Sequence, residues 1–95
     1  MKTGLLKVTL YIPYSHSLKE KRSVLNAIKD RLKNRFNISV AEVGDNDKWQ
    51  KSELGIALVA NKGKYIAAQL NKASESLRGM PGFNLVSSEM DIIDC

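Results

Sequence analysis

Cysteine occurs once among the 95 residues, as Cys95, and histidine once, as His16. A lone cysteine forms no intramolecular disulfide, which fits a reducing compartment, and it excludes a cysteine-based zinc cluster. Together the two counts exclude most metal sites and most histidine- or cysteine-dependent catalysis. No apolar run approaches the roughly 20 residues that cross a bilayer, so no membrane association is expected. The start, Met1-Lys2-Thr3-Gly4, leads straight into a strand pattern and does not have the form of a signal peptide. A cytoplasmic protein is the expectation. What remains is 43% hydrophobic and 26% charged, enough apolar material for one modest core and too little charge for disorder. One domain over residues 1–95 follows.

The charge is unevenly placed. Net charge is +5, from 15 Lys and Arg against 10 Asp and Glu. The stretch 19–35 holds seven bases (Lys19, Lys21, Arg22, Lys29, Arg31, Lys33 and Arg35) and two acids, Glu20 and Asp30. The rest holds eight of each, so the whole excess lies in one segment. Such a concentration points to a polyanionic partner. Its bland counterpart is a solvated helix that keeps the protein soluble.

Leu6, Val8, Leu10 and Ile12 alternate with Lys7, Thr9 and Tyr11, the period of a half-buried strand, and Pro13 ends it. Ser17-Leu18-Lys19-Glu20 has the form of a capping box, with Ser17 accepting from the Glu20 N–H and Glu20 reaching back to the Ser17 N–H. Leu18, Leu25, Ile28, Leu32 and Phe36 then recur at helical spacing, an amphipathic helix of about five turns. Residues 38–43 read as a second strand, Gly44-Asp45-Asn46-Asp47 as a turn, and Leu54, Ile56, Leu58 and Ala60 as the inward side of a third strand. Asn61 is placed to cap a second helix with Ile66, Leu70, Ala73 and Leu77 on its apolar face. Gly79 suits a left-handed C-terminal cap, and Pro81 stops the helix. A last strand runs over 85–93, with Val86, Met90 and Ile92 on one side.

Strand, helix, strand, strand, helix, strand is the split βαβ, ferredoxin-like order. The fold class expected is α+β: a four-stranded antiparallel sheet ordered 4-1-3-2 with both helices on one face. Leu6, Val8, Leu10, Leu25, Ile28, Leu32, Leu54, Ile56, Leu58, Ile66 and Leu70 should form the core. The other sheet face stays open, and Tyr11, Ala57 and Val59 make it partly apolar, which suits an interface.

At about 100° per residue, Lys19, Arg22, Lys29 and Lys33 border the apolar stripe of the first helix on one side. They form a row that can follow a phosphate backbone, or stems that snorkel over the core margin. Arg31 and Arg35 lie on the other border, where ion pairs with Glu42 and Glu53 are expected. Lys21 falls inside the stripe. A lone buried ammonium is costly, so escape past the end of the sheet is expected, the alternatives being an anion site or a buried pair. His16 precedes the cap and reads as a loop residue, or as a phosphate donor beside the helix N-terminus. Trp49 follows the turn. Burial is the default for a single tryptophan; exposed, it becomes a candidate for stacking on a base or anchoring a partner. Gly55 allows a close approach or marks a bulge.

The runs His16-Ser17-Leu18-Lys19-Glu20-Lys21-Arg22 and Asp47-Lys48-Trp49-Gln50-Lys51-Ser52-Glu53-Leu54-Gly55 resemble the YlxP-like family of small bacterial proteins of unknown function. The intervening Arg35-Phe36-Asn37-Ile38-Ser39-Val40-Ala41-Glu42-Val43 is similar too, so the resemblance covers nearly the whole chain. It implies a ferredoxin-like fold. It also implies a bacterial cytoplasmic protein whose gene often lies among translation and ribosome-maturation genes, with no established reaction and no catalytic residues. Acylphosphatases of this topology carry an arginine in the loop after the first strand, where this chain reads Pro13-Tyr14-Ser15-His16. RNA-recognition modules stack bases on aromatics of both central strands, whereas the third strand here offers Ala57 and Val59.

The expectation is therefore a non-enzymatic accessory protein that binds structured RNA or the ribosome through Lys19, Arg22, Lys29 and Lys33, with Trp49 as a stacking or anchoring candidate. The alternative is a homodimeric or protein-interaction module using Tyr11, Ala57 and Val59. Neither a cofactor nor a metal is expected.

Overall fold

The computed structural model describes all residues from Met1 to Cys95. The elements are β1 (Lys2–Tyr11), α1 (Leu18–Arg35), β2 (Ser39–Gly44), β3 (Lys51–Ala60), α2 (Gly63–Arg78) and β4 (Asn84–Asp94). The strands form one antiparallel sheet ordered β2-β3-β1-β4, which is the expected 4-1-3-2 read from the opposite edge. α2 lies over β1, β3 and β4, and α1 lies over β2 and beside α2.

Alternation along the central strands builds the floor of the core. Leu6 stands opposite Ile56 and Val8 opposite Leu54, so the even-numbered side chains of both strands face the helices. All eleven expected core residues are buried. Phe36 and Val40 extend that core on the α1 side, and Met80 and Phe83 close it after α2. Gly4 has a packing cause: a Cβ there would collide with Ile66 Cγ2, so α2 closes onto β1 only because this position has no side chain.

The helix ends differ from expectation in detail. Ser17 Oγ accepts from the Glu20 N–H at 3.1 Å, but the Glu20 carboxylate reaches the His16 N–H, at 2.6 Å, one residue earlier than expected. α1 ends where Phe36 turns to extended backbone and enters the core. The N-cap of α2 is Lys62, not Asn61, and no side chain caps it. Gly79 is right-handed, at φ −86°, because its N–H closes a tight turn onto the Ser76 and Leu77 carbonyls. The left-handed residue is Gly82, at φ +93°, where the chain reverses into β4.

β4 carries a bulge. Leu85 pairs with Leu10 and Ser87 with Thr9, which leaves Val86 as the extra residue. One added residue inverts the alternation, so Val86 is not on the side of Met90 and Ile92; it is exposed beside Thr9 and Tyr11. No helix is long and apolar enough to cross a membrane.

Candidate functional site

The basic row is assembled by α1 alone. Lys19, Arg22 and Lys33 are exposed and Lys29 is half-buried. On the opposite border Arg35 donates to Ser76 Oγ of α2 at 3.4 Å and lies over the Phe36 ring. The row therefore faces away from α2, out past the β2 edge of the sheet. At 1.5 Å per residue it runs about 21 Å from Lys19 to Lys33.

The expected ion pairs of Arg31 and Arg35 with Glu42 and Glu53 do not form. α1 starts at the hairpin end of β2 and β3, where Lys21 meets Glu42. The last turn of the helix therefore lies at the opposite end of the sheet from both glutamates. Arg31 and Arg35 join Lys19, Arg22, Lys29 and Lys33 as bases without a carboxylate within 4 Å. The ion pairs of the chain lie elsewhere: Lys2–Asp94, Lys7–Glu89, Lys48 and Lys51 with Asp45, Arg78–Glu75, and Lys21–Glu42.

Lys21 does not escape past the sheet; its side chain is 1% exposed. Its ammonium donates to the Asp45 and Lys48 carbonyls, both at 2.6 Å, and pairs with Glu42 Oε2 at 2.8 Å. Three protons meet three acceptors, which is what makes burial tolerable. Glu42 Oε2 also accepts from Ser52 Oγ at 2.7 Å. The first turn of α1 is thus bolted to the β2–β3 hairpin.

That hairpin turn starts at Asp45, whose φ of +58° is the only positive value outside glycine, a conformation aspartate tolerates. Its carboxylate lies 3.3 Å from Lys48 Nζ and 3.5 Å from Lys51 Nζ. Partial burial alone would raise the Asp45 carboxyl. The hydrogen bond and charge of Lys48, with the charge of Lys51, outweigh it and hold the group below its ordinary value of 3.8.

Trp49 is 55% exposed, against the expectation of burial. The reason lies in its neighbours. Lys21 holds the Lys48 carbonyl on one side. On the other, the Gln50 carbonyl accepts from the Ile12 N–H at 2.8 Å, and the Gln50 amide donates to the Pro13 and Ser15 carbonyls. The backbone on both sides of Trp49 is held, and the ring stands outside. With Tyr11 and Val86 it forms the apolar wall of an open cleft of about 710 Å³, whose polar wall is Lys48, Lys51, Gln50 and His16. The polar residues around Trp49 in sequence, Lys48, Gln50 and Lys51, were the available sign that the ring faces water.

Tyr11, Ala57 and Val59 do lie on the open sheet face, but not as one patch. Tyr11 pairs with Lys51, whereas Val59 pairs with Thr3, eight residues away and about 26 Å along the strand. Lys7 and Glu89, 3.8 Å apart, stand between them. Tyr11 belongs to the cleft. Ala57 and Val59 belong to a second surface with Leu5, Val43 and Ile93, which sequence periodicity did not single out. Val43, the bulged residue of β2, lies directly over Gly55, where a Cβ would come within 3.0 Å of it. Gly55 thus admits a neighbouring side chain, not a backbone.

Comparison with known proteins places this arrangement. A protein of Bacillus subtilis (strain 168), described as the uncharacterized protein YlxP, is 38% identical over 65 residues, which cover 68% of this chain and 71% of the relative. The de novo designed protein Foldit4 superposes over 100% of this chain and 99% of its own, with a TM-score of 0.57 at 9% identity, a likeness of fold alone. The oxygenase SnoaB of Streptomyces nogalater covers 99% of this chain and 92% of its own, with a TM-score of 0.49 at 11% identity, too loose to bear on function. The model of the family described as protein of unknown function (DUF503) matches residues 3–90. With that span and the YlxP relative, this chain belongs to the DUF503 family.

Proposed function

We propose that this protein binds structured RNA, or an RNA–protein assembly such as the ribosome, through the outer flank of α1, as an accessory factor without a reaction of its own. The observation that carries this reading is the placement of ion pairs. Acids are matched to bases along the strands, in the hairpin and at the end of α2, while six surface bases of α1 are left without one, against three in the rest of the chain, Lys62, Lys64 and Lys72. Lys19, Arg22, Lys29 and Lys33 form a single row on the flank that no other element covers. A row of unneutralised ammonium and guanidinium groups attracts a phosphate backbone and releases its condensed counterions on binding. Recognition then depends on charge and shape along the helix, since α1 offers no aromatic to a base on that flank.

Binding to ribosomal RNA or to intact subunits should weaken steeply with salt. Lys29→Ala with Lys33→Ala should lower affinity for all RNA sequences alike and flatten the log–log salt dependence by about one and a half units. The matched control is Lys64→Ala with Lys72→Ala, two exposed lysines of α2. Equal losses in both double variants would mean that net charge alone acts. No salt-sensitive binding by the unaltered protein would end the reading.

A second reading is favoured by a specific observation. Leu5, Val43, Val59 and Ile93 are exposed on the open sheet face, with Ala41, Gly55 and Ala57 lining an apolar hollow beside them. This surface is suited to a second copy of the chain.

A further inference from the structure

The backbone that carries the exposed Trp49 indole is held on both sides. Trp49 lies between two held carbonyls: that of Lys48 on the buried Lys21 ammonium, and that of Gln50 on the Ile12 N–H. The Gln50 amide adds two more bonds, to the Pro13 and Ser15 carbonyls. The ring is therefore presented on a rigid support, beside Tyr11, which is 42% exposed. A backbone already held loses little further conformational entropy when the ring it carries is covered.

We infer that the cleft beside Trp49 holds one unpaired nucleotide of a single-stranded RNA segment, its base against the Trp49 and Tyr11 rings and its phosphate at Lys48 and Lys51. The inference rests on the reading of α1 as an RNA-binding helix and names what the molecule holds at the start of that helix. Three observations support this occupant. The cleft, about 710 Å³, is of the size that takes a small organic group. Its apolar wall is aromatic, and every base has a face that stacks on such a wall. Its cations are set by Asp45, which lies 3.3 Å from Lys48 Nζ and 3.5 Å from Lys51 Nζ. Two lysines and one carboxylate leave a single positive charge, the complement of one phosphodiester. The cleft also lies beside the loop that leads into α1. His16 lines it and stands three residues before Lys19, and Lys21 locks the hairpin to the first turn of α1. A strand leaving the cleft past His16 meets Lys19 and Arg22 next.

Trp49 is the only tryptophan, so its emission reports on the cleft directly. A short oligoadenylate should quench it saturably, and a blunt RNA duplex of equal length should not. With labelled RNAs followed by anisotropy, Trp49→Leu should weaken oligoadenylate binding by roughly 5- to 150-fold, the loss of one stacked base, and should leave duplex binding unchanged. Trp49→Phe should restore most of the loss. Circular dichroism on the same samples should show an unaltered fold, since the side chain removed is exposed. Lys29→Ala with Lys33→Ala should weaken both RNAs. If that double variant weakens both and Trp49→Leu weakens neither, the cleft assignment is overturned and the helix row stands. If Trp49→Leu acts on the single strand while the double variant changes nothing, the row falls and the cleft stands. Quenching by an acidic aromatic peptide in place of oligoadenylate assigns the cleft to a protein partner and overturns the nucleotide.

Discussion

Lys21 is the residue on which the candidate site depends. It sits where a leucine would satisfy the helix pattern, yet its ammonium finds a carboxylate and two carbonyls in the hairpin. Removing one partner of such a pair leaves the others buried and unmatched, which typically costs about 3–5 kcal/mol. Lys21→Met should lower stability by about that amount in chemical denaturation, and adding Glu42→Gln should recover part of it by removing the stranded charge. The same variant should loosen the Trp49 loop. Asp45 gives a smaller, pH-dependent contribution. Its folded-state value lies below 3.8, so folding favours the ionised form, and the stabilisation is complete above the unfolded value and is lost as pH falls through the folded one. The stability difference between the unaltered protein and Asp45→Asn should be constant above about pH 5 and should shrink as pH falls below about 4.

Among the elements, α1 serves two masters. Its inner stripe of Leu25, Ile28 and Leu32 is buried against β2 and α2, and its outer flank carries Lys19, Arg22, Lys29 and Lys33. The two faces are separable by mutation. Leu32 is fully buried, so Leu32→Ala leaves a cavity and should cost about 2–5 kcal/mol, read as a lowered denaturant midpoint. Substitutions on the outer flank should leave that midpoint nearly unchanged, since exposed charges contribute little to stability. The hairpin between β2 and β3 is the element that gathers the cleft, because one short turn brings Asp45, Lys48, Trp49 and Lys51 together above the end of β1.

Across the whole molecule, helices cover only one face of the sheet, and the molecule is elongated, 42 × 22 × 19 Å. The open face separates into an aromatic, lysine-edged end and an aliphatic end, with Lys7 and Glu89 between them. The aliphatic end is the surface suited to a second copy. Val59, 62% exposed, would lie within that contact. Analytical ultracentrifugation of the unaltered protein should then show concentration-dependent association that Val59→Lys abolishes, with RNA binding by the helix row retained. A chain that stays monomeric at millimolar concentration would remove the dimer and leave the RNA reading intact.

Order of elements and core membership were legible in the residues, because they follow from local periodicity, and the sheet order followed from the element order and the right-handed crossover. Period two along Leu6, Val8 and Leu10, and helical spacing along Leu25, Ile28 and Leu32, each decide a buried face without knowledge of what lies opposite. The basic row was legible for the same reason, being a property of one helix. What could not be read involves groups far apart in the chain. Lys21 meets acceptors 21 to 27 residues away, and no local pattern encodes that meeting. Arg31 and Arg35 were given the wrong partners because the direction of α1 across the sheet, not its composition, sets which glutamates come near. Trp49 faces solvent because bonds to Lys21 and Ile12 hold its neighbours. Val86 changed sides through one unpaired residue in β4. Burial follows from sequence where hydrophobicity alone governs it, and from the tertiary structure where a polar group must find its complement across the fold.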